Sequence, residues 1–306
     1  MKKIFLPVLV TAICLIAAAA QNARAQNAAG QDATAQNSSA QNHEPPAVMG
    51  IIREAVKEGH SAAHEKVEAD WAGAMRKHNF PFHSLALTSM TGPAEALFLL
   101  PSKSFAEVEQ AGKEAQKPAL KAEIDLLEAR DGELRSSSRT MYAVYRKDMS
   151  YRRELVNIGK TRYVGITTFR LKLGHMEDFA AGSKKFLGAQ EKAGLKEPMV
   201  AYQVIAGAPD GLFLFMEPME SLKMVDEMPA HDKAVAEAMG NEEFQRMMKG
   251  AGDVFTSIEY SLLAVNPRMS YVSKETEDVD PAFWRPKMSP VKATKTNTTR
   301  AEKSGQ

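Results

Sequence analysis

Apolar and polar residues alternate along several short segments of this 306-residue chain, most clearly over residues 163–173. The apolar positions there are Phe169, Leu171 and Leu173, and the polar positions are Thr168, Arg170 and Lys172. A period of two is typical of a strand with one covered face. We therefore predict a strand whose apolar face is buried by helices and whose other face is polar.

The pattern that follows this strand predicts a unit of strand, helix, two strands, helix and strand. Gly194 and Pro198 stop the first helix, and the glycines that bound segment 207–211 favour a hairpin turn. The second helix is expected to break near Pro229 because proline lacks a backbone N–H. The predicted elements are Tyr163–Leu173, Met176–Ala193, Val200–Ile205, Leu212–Met216, Ser221–Lys249 and Ile258–Val265.

The first half of the folded region resembles the second half. Gly50 and His60 recur as Gly165 and His175, at an offset of 165 − 50 = 115. GPAEALFLL against GAPDGLFLF has the same offset, and each copy closes on Met-Ser-Tyr. Three landmarks in one order indicate an internal duplication. The first copy is predicted to contain Val48–Val56, Ser61–His78, Leu85–Met90, Leu97–Leu100, Ser104–Leu134 with a kink at Pro118, and Met141–Tyr145.

Each copy is a βαββαβ unit, in which helices cover only one face of a four-stranded sheet. The uncovered face of each sheet needs a partner. We predict an α+β fold of two tandem ferredoxin-like units, packed sheet to sheet as a pseudo-dimeric α/β barrel. The predicted order is a signal peptide (1–25), a disordered Gln/Asn/Ala linker (26–46), repeats at 47–160 and 161–275, and a mostly disordered tail (276–306) whose Phe283 and Trp284 could dock on the folded body.

The amino terminus has the pattern of a secretory signal. Two lysines precede an apolar run over residues 4–20, and Ala23, Arg24 and Ala25 form a small-x-small cleavage site. We predict cleavage before Gln26 and export to the periplasm or the exterior, with no membrane association afterwards.

Cysteine content and charge narrow the chemistry. Cys14 is the only cysteine and lies in the predicted signal, so the exported chain would lack disulfides, thiolate nucleophiles, iron–sulfur clusters and thioether-linked haem. Removing Lys2, Lys3 and Arg24 leaves 39 − 3 = 36 basic residues against 38 acidic ones, a net charge near −2. With no basic excess to meet phosphate, nucleic acid is not a predicted partner.

Short motifs support a family resemblance. The chain carries TGP at 91–93, VYR at 144–146, MSYVSKE at 269–275 and DPAFWRPK at 280–287. With the duplication, these motifs resemble tandem-duplicated, secreted bacterial proteins of unassigned function in the ferredoxin-like dimeric α/β barrel superfamily. That superfamily includes antibiotic-biosynthesis monooxygenases, NIPSNAP-type proteins and chlorite dismutases. The resemblance implies a pseudo-dimer with a cavity between its sheets, and it implies no established substrate.

Histidines raise two cofactor hypotheses. His60 and His64 stand four apart, a helical spacing that suits zinc or copper, with Glu58 or Glu65 as a further ligand. The second copy has Phe179 in place of His64. In the chlorite dismutase branch a histidine holds haem iron, but that residue cannot be matched to a position here. We therefore predict no metal site and no cofactor, while a haem or metal protein stays open as a weaker alternative.

Four residues are candidates for binding a ligand between the sheets. Arg53 and Arg170 fall on the open faces by strand parity, where a guanidinium suits an anionic ligand. His83 and Tyr202 could add polar groups. We predict an exported small-molecule-binding barrel without a recognisable catalytic set, either a monomeric pseudo-dimer or a homodimer. The alternative is a cofactor-independent, monooxygenase-like enzyme for a small aromatic or enolisable substrate, so catalytic residues stay unassigned.

Overall fold

A computed structural model describes residues 44–286. The predicted signal peptide, most of the predicted linker and the end of the predicted tail lie outside the described residues. The first repeat follows the βαββαβ order, with its second helix split in two. Its elements are β1 (Val48–Val56), α1 (Ser61–Lys77), β2 (Leu85–Ser89), β3 (Glu95–Ser102), α2 (Phe105–Ala115), α3 (Pro118–Gly132) and β4 (Arg135–Tyr145).

The second repeat has the same order and is followed by two short helices. Its elements are β5 (Tyr163–Leu171), α4 (Met176–Lys192), β6 (Val200–Ala206), β7 (Leu212–Met219), α5 (Lys223–Met239), α6 (Asn241–Val254), β8 (Phe255–Val265), α7 (Lys274–Val279) and α8 (Pro281–Trp284). Two short 3-10 turns, Lys147–Met149 and Arg153–Leu155, join the repeats. Within residues 44–286, no helix combines the length and the apolar character needed to cross a membrane.

The eight described strands form one closed barrel in the order β1-β3-β2-β8-β5-β7-β6-β4. Every pair of neighbouring strands is antiparallel. The repeats join at two seams, where Leu87 of β2 pairs with Val265 of β8 and Val144 of β4 pairs with Gln203 of β6. The predicted α+β fold of two ferredoxin-like units in a pseudo-dimeric barrel is confirmed.

The sequence separation between paired residues of the first and third strands is two residues longer in the second repeat than in the first. Ile52 in β1 lies opposite Phe98 in β3, whereas Thr167 in β5 lies opposite Phe215 in β7. The offset between copies is therefore 167 − 52 = 115 in the first strand and 215 − 98 = 117 in the third. The duplication is confirmed, and matching by sequence alone misses this shift in the third strand.

The inner face of the barrel is filled with apolar side chains from both repeats. Alternate positions, such as Met49 and Ile51 in β1 and Val164 and Ile166 in β5, contribute to one buried cluster. Burying two apolar sheet faces against each other, at roughly 25 cal/mol per Å², holds the repeats together. The structure therefore differs from the expectation of a cavity between the sheets, because apolar packing occupies that space.

The segment after β8 closes one end of the barrel. Trp284 is 2% exposed and joins the interior cluster, and its Nε1 donates to the Gly159 carbonyl at 2.9 Å. The guanidinium carbon of Arg162 lies 3.8 Å from the ring centroid of Phe283, and Arg162 pairs with Asp280. The expected docking of the two aromatic residues is confirmed, so the first part of the predicted tail is folded.

The helices of the second repeat pack closely on the outer face of their sheet. Phe179 from α4 is fully buried, and its ring centroid lies 4.8 to 5.9 Å from four other phenylalanine rings. We call this set the aromatic cluster; it contains Phe169, Phe179, Phe213, Phe215 and Phe255. It forms the centre of the second repeat's core.

Three local predictions differ from the structure. A helix ends at Ala115 and a new one begins with Pro118, whose missing N–H is harmless at that position. Pro229 lies inside α5, and the break comes instead at Gly240, whose φ of +94° suits a residue without a Cβ. Leu173 lies beyond the end of β5 and is 82% exposed.

Candidate functional site

A large cavity lies between the sheet of the first repeat and the helices that cover it. Its volume is about 540 Å³, within the range of small-molecule sites. Gly50, Ile52 and Glu54 of β1 form part of its floor, and residues of α1, α2 and α3 form its walls. Met269 and Tyr271, from the segment after β8, also line it. We call it the helix-side cavity.

Most of the lining is apolar or aromatic, and the polar groups collect in two places. Glu54 marks one place and Gly50 the other, about 13 Å apart along the strand. His83 and Ser84 lie toward the Gly50 end, because β2 begins beside the residues of β3 that pair with Gly50. The main apolar and aromatic lining residues are Ile52, Trp71, Met75, Phe80, Phe98 and Leu100.

Four ionisable side chains meet at the Glu54 end. Glu54 comes from β1, His64 and Glu68 come from successive turns of α1, and Asp131 comes from the last turn of α3. Each residue is more than nine-tenths buried, and each offers a potential ligand atom within 4.8 Å of the others. We call this set the ionisable cluster. Glu54, Glu68 and Asp131 line the cavity, whereas His64 is not among the lining residues.

His64 and Arg135 connect the members of the cluster. The Nε2 atom of His64 lies 3.0 Å from Oε2 of Glu54 and 3.4 Å from Oδ1 of Asp131. Arg135, at the start of β4, pairs with Glu54, and its Nη1 lies 2.8 Å from Oδ2 of Asp131. The same guanidinium also pairs with Glu128, which is largely exposed.

Asp131 is under-satisfied within this network. Its side chain is 1% exposed, yet neither carboxylate oxygen accepts a well-oriented hydrogen bond. The guanidinium and imidazole contacts offset part of its charge but leave lone pairs without a donor. Buried polar atoms of this kind are rare and call for an explanation in ligand, ion or water binding.

Burial and mutual repulsion separate the pKa values of the carboxyls. Burial, together with the charges of Glu54 and Asp131, raises the pKa of Glu68 to about 9. Burial likewise raises the pKa of Asp131. Burial opposes ionisation of Glu54 too, but the His64 hydrogen bond and the Arg135 charge outweigh it and lower its pKa. At neutral pH Glu54 is charged, whereas Glu68 is protonated and can donate a hydrogen bond.

His83 is the candidate ligand-binding residue that lines the helix-side cavity. Its ring centroid lies 5.1 Å from that of Tyr271. Burial lowers the pKa of His83, so the imidazole is neutral at pH 7. The Tyr271 hydroxyl donates to the Phe80 carbonyl at 2.7 Å, which fixes the ring against which His83 packs.

The other three candidates lie on the barrel side of the sheet, away from this cavity. Arg53 and Arg170 are near the ends of β1 and β5, which run in the same direction, so both lie toward one end of the barrel. Arg53 donates to Glu95 at 2.6 Å and is partly exposed. Tyr202 is buried near the other end, where its hydroxyl donates to the Pro46 carbonyl at 3.0 Å. The structure therefore separates the four residues, and contact of a ligand with any of them stays a prediction.

The histidine pair is also divided by the fold. His60 is exposed at the start of α1, with Nδ1 2.9 Å from the Glu58 carbonyl oxygen, while His64 is buried in the ionisable cluster. The sequence indicated part of the ionisable cluster, because His64 and Glu68 are four residues apart and Glu54 falls on the helix-covered face of β1 by parity. Asp131 had no such signal, since it reaches the cluster only through tertiary packing.

The second repeat replaces the cluster with mainly apolar residues. At the offset of 115, Glu54 corresponds to Phe169, His64 to Phe179 and Glu68 to Ser183. Arg135 corresponds to Phe255, since Val56 pairs with Arg135 where Leu171 pairs with Phe255. The fold therefore accepts aromatic packing at these places and does not require charge there.

The donors in the first repeat suit a cation better than haem. Haem iron takes its protein ligand from histidine, cysteine, methionine or tyrosine. The ionisable cluster offers three carboxylates and one histidine, and carboxylates are not among these haem ligands. Carboxylate oxygens with one imidazole nitrogen instead match the preferences of divalent cations.

No protein-family model and no curated protein matches the chain. Several solved structures are similar to this chain over most of their length. A candidate monooxygenase from Fusobacterium nucleatum subsp. nucleatum is 11% identical with a TM-score of 0.47, covering 73% of this chain and 93% of that one. An anthrone oxidase-like protein is 12% identical with a TM-score of 0.46, covering 76% of this chain and 96% of that one. A mutant chlorite dismutase from Candidatus Nitrospira defluvii is 11% identical with a TM-score of 0.46, covering 80% of this chain and 98% of that one.

These structures are of the monooxygenase and chlorite dismutase types to which the sequence motifs pointed. The similarity concerns the fold alone, since identities this low say nothing about activity. Function has to be argued from the site.

Proposed function

We propose that this protein binds a small, largely apolar or aromatic molecule in the helix-side cavity. The observation that carries the proposal is a cavity of about 540 Å³, with an apolar middle, that ends on a buried ionisable cluster. Burying ionisable groups is costly unless they are paired or used. The second repeat fills the equivalent positions with phenylalanine, so the fold itself does not require ionisable groups there. We therefore attribute the cost of burying these groups in the first repeat to function.

The shape of the cavity favours an elongated ligand with polar groups at its ends. Glu68 and Asp131 can contact a hydroxyl or amine at one end, and His83 can contact a second polar group toward the Gly50 end. Trp71, Phe80 and Phe98 supply aromatic faces between them. A cavity with few convergent polar groups is the usual form of a small-molecule site.

Titration with N-phenyl-1-naphthylamine, an apolar probe that becomes fluorescent on binding, tests this proposal. Ile52→Phe places a ring in the cavity and is expected to weaken probe binding at least tenfold. Ile205→Phe is the matched control, because Ile205 is 51% exposed on β6 and does not line the cavity. Equal binding by both variants would reject the site. If the Arg53→Met, Arg170→Met double variant weakened binding instead, the ligand would lie at the barrel end.

A cofactor-independent, monooxygenase-like enzyme is the second candidate. One observation favours it: apolar walls and a buried ionisable cluster share a single cavity, which brings substrate and polar groups together away from bulk water. Oxygen uptake with a panel of phenols and enolisable ketones would test it. Turnover that Ile52→Phe abolishes and Ile205→Phe leaves unchanged would support catalysis in this cavity. If none of these substrates is turned over, the enzyme hypothesis is rejected for them and the ligand-binding proposal is unaffected.

We also propose that the protein is exported and starts near Gln26. The charged start, the apolar run and the Ala23–Ala25 cleavage pattern support this. Amino-terminal sequencing of the protein from fractionated cells tests it. A chain that begins at Met1 in the cytoplasmic fraction would reject export.

A further inference from the structure

We propose that Glu54, His64, Glu68 and Asp131 bind one divalent first-row transition-metal cation at the end of the helix-side cavity. Their ligand atoms already lie within 4.8 Å of one another, and all four residues are buried. One imidazole nitrogen and three carboxylates suit Zn²⁺, Mn²⁺ or Fe²⁺. The site goes beyond the proposed ligand binding and needs no organic ligand to form.

Asp131 provides an independent reason to expect an ion here. It is 1% exposed, and neither carboxylate oxygen accepts a well-oriented hydrogen bond, although Oδ2 lies 2.8 Å from Nη1 of Arg135. A buried carboxylate with free lone pairs binds a cation at little further desolvation cost, because its water has already been removed.

The charge around the site also favours a cation. Three carboxylates, Glu54, Glu128 and Asp131, surround the guanidinium of Arg135 and the imidazole of His64. A divalent cation would balance this excess. We expect it to replace the Arg135 contact with Asp131, while Arg135 keeps its pair with Glu128 at the surface.

The arrangement leaves open coordination positions on the cavity side. Glu54, Glu68 and Asp131 line the helix-side cavity, while His64 lies behind them. A bound cation would therefore face the cavity and could accept a donor atom from a small molecule or from water. Open positions of this kind distinguish a functional metal site from a closed structural one.

Cobalt titration of the full mature chain, after treatment with a chelator, tests the proposal. Co²⁺ substitutes for Zn²⁺ and reports its ligands through visible absorption bands. We expect one equivalent to bind and to be displaced by Zn²⁺. His64→Gln and Glu68→Gln should each weaken binding at least tenfold. His60→Gln is the matched control and should bind as the wild type does, since His60 is exposed and lies outside the cluster.

Arg135→Gln sharpens the test because it separates a metal site from a salt-bridge network. If Arg135 competes with the cation, its removal should strengthen Co²⁺ binding severalfold. The absence of stoichiometric binding to the wild type, or equal affinities for His64→Gln, Glu68→Gln and His60→Gln, would overturn the proposal. Should His64→Gln fail to fold by circular dichroism, the nearly isosteric Glu68→Gln decides. Probe binding by the metal-free protein is measured separately, so loss of the metal site leaves the cavity proposal standing.

Discussion

The two repeats of this barrel share a fold but fill the space under their helices differently. In the second repeat Phe169, Phe179 and Phe255 pack together as part of a compact aromatic cluster. In the first repeat the corresponding residues are Glu54, His64 and Arg135, which lie beside a cavity of about 540 Å³. The second repeat is thus densely packed under its helices, whereas the first repeat has buried ionisable groups and a cavity there.

This difference indicates which repeat of the duplicated fold can hold a functional site. Dense apolar packing under the second set of helices contributes stability to a barrel that both repeats share. The first repeat can then tolerate a cavity and a costly ionisable cluster. We interpret the second repeat as the scaffold and the first repeat as the binding unit.

Separating the repeats should have the largest effect. A chain that ends at Gly159 exposes the apolar inner face of the first sheet, which is buried against the second in the barrel. We expect it to aggregate or to dimerise, whereas the whole described barrel is complete in one chain. Light scattering and thermal melting measure this. A monomeric fragment with a cooperative melt would show that each repeat is stable by itself.

Truncating the centre of the aromatic cluster should be the most damaging single substitution. Phe179→Ala removes a fully buried ring and is expected to cost about 3 to 5 kcal/mol of unfolding free energy. Phe80→Ala, at the wall of the helix-side cavity, should cost clearly less because Phe80 is only half-buried. Urea denaturation of both variants checks the order. Equal losses would mean that the two repeats are packed alike.

Adding side-chain volume tests the same difference between the repeats, and the second repeat should again lose more stability. Thr167→Phe overfills a position that is 2% exposed in the second repeat and should cost about 1 to 3 kcal/mol or more. Ile52→Phe, at the equivalent place, enters the cavity and should cost under about 1 kcal/mol. The same denaturation experiment measures both. A large loss in Ile52→Phe would indicate that the cavity is already filled.

The second repeat has a partly buried carboxyl of its own, Glu217, and it should weaken the fold as pH rises. Burial, with the charges of Asp232 and Glu197 nearby, raises the pKa of Glu217 from 4.5 to about 7. The unfolded chain releases this proton above pH 4.5 and the folded chain holds it until about pH 7, so stability falls across that window. Glu217→Gln should gain about 1 kcal/mol relative to the wild type between pH 5 and pH 6. Parallel stability curves would contradict the pKa shift.

The sequence predicted those features that depend on local pattern. Alternation at Phe169 and Leu171 placed β5, and the recurrence of Gly50 and His60 as Gly165 and His175 predicted the duplication. The break predicted near Pro229 was misplaced and lies at Gly240. The kink predicted at Pro118 is a full break, because a proline can begin a helix as well as bend one. Parity placed Arg53 and Arg170 on the barrel side correctly, but parity does not report whether the space there is filled.

The candidate site was harder to predict because its members come from distant segments. His64 and Glu68 share a helical spacing, yet Glu54 joins them across a strand-to-helix turn and Asp131 from the end of another helix. Nothing local in a sequence marks a carboxylate that will be buried by packing. The substitution of Phe169 and Phe179 for Glu54 and His64 was visible between the repeats, and it is the comparison that points to the cluster.

The position of Trp284 sets the timing of folding during synthesis. The seam that joins Leu87 to Val265 and the indole that closes the barrel both need β8 or the segment after it. At 5 to 20 residues per second, the 284 − 87 = 197 residues between Leu87 and Trp284 take roughly 10 to 40 s to emerge. For that time the first sheet has no partner for its apolar face. We therefore expect the nascent chain to depend on a chaperone until the residues up to Trp284 have emerged.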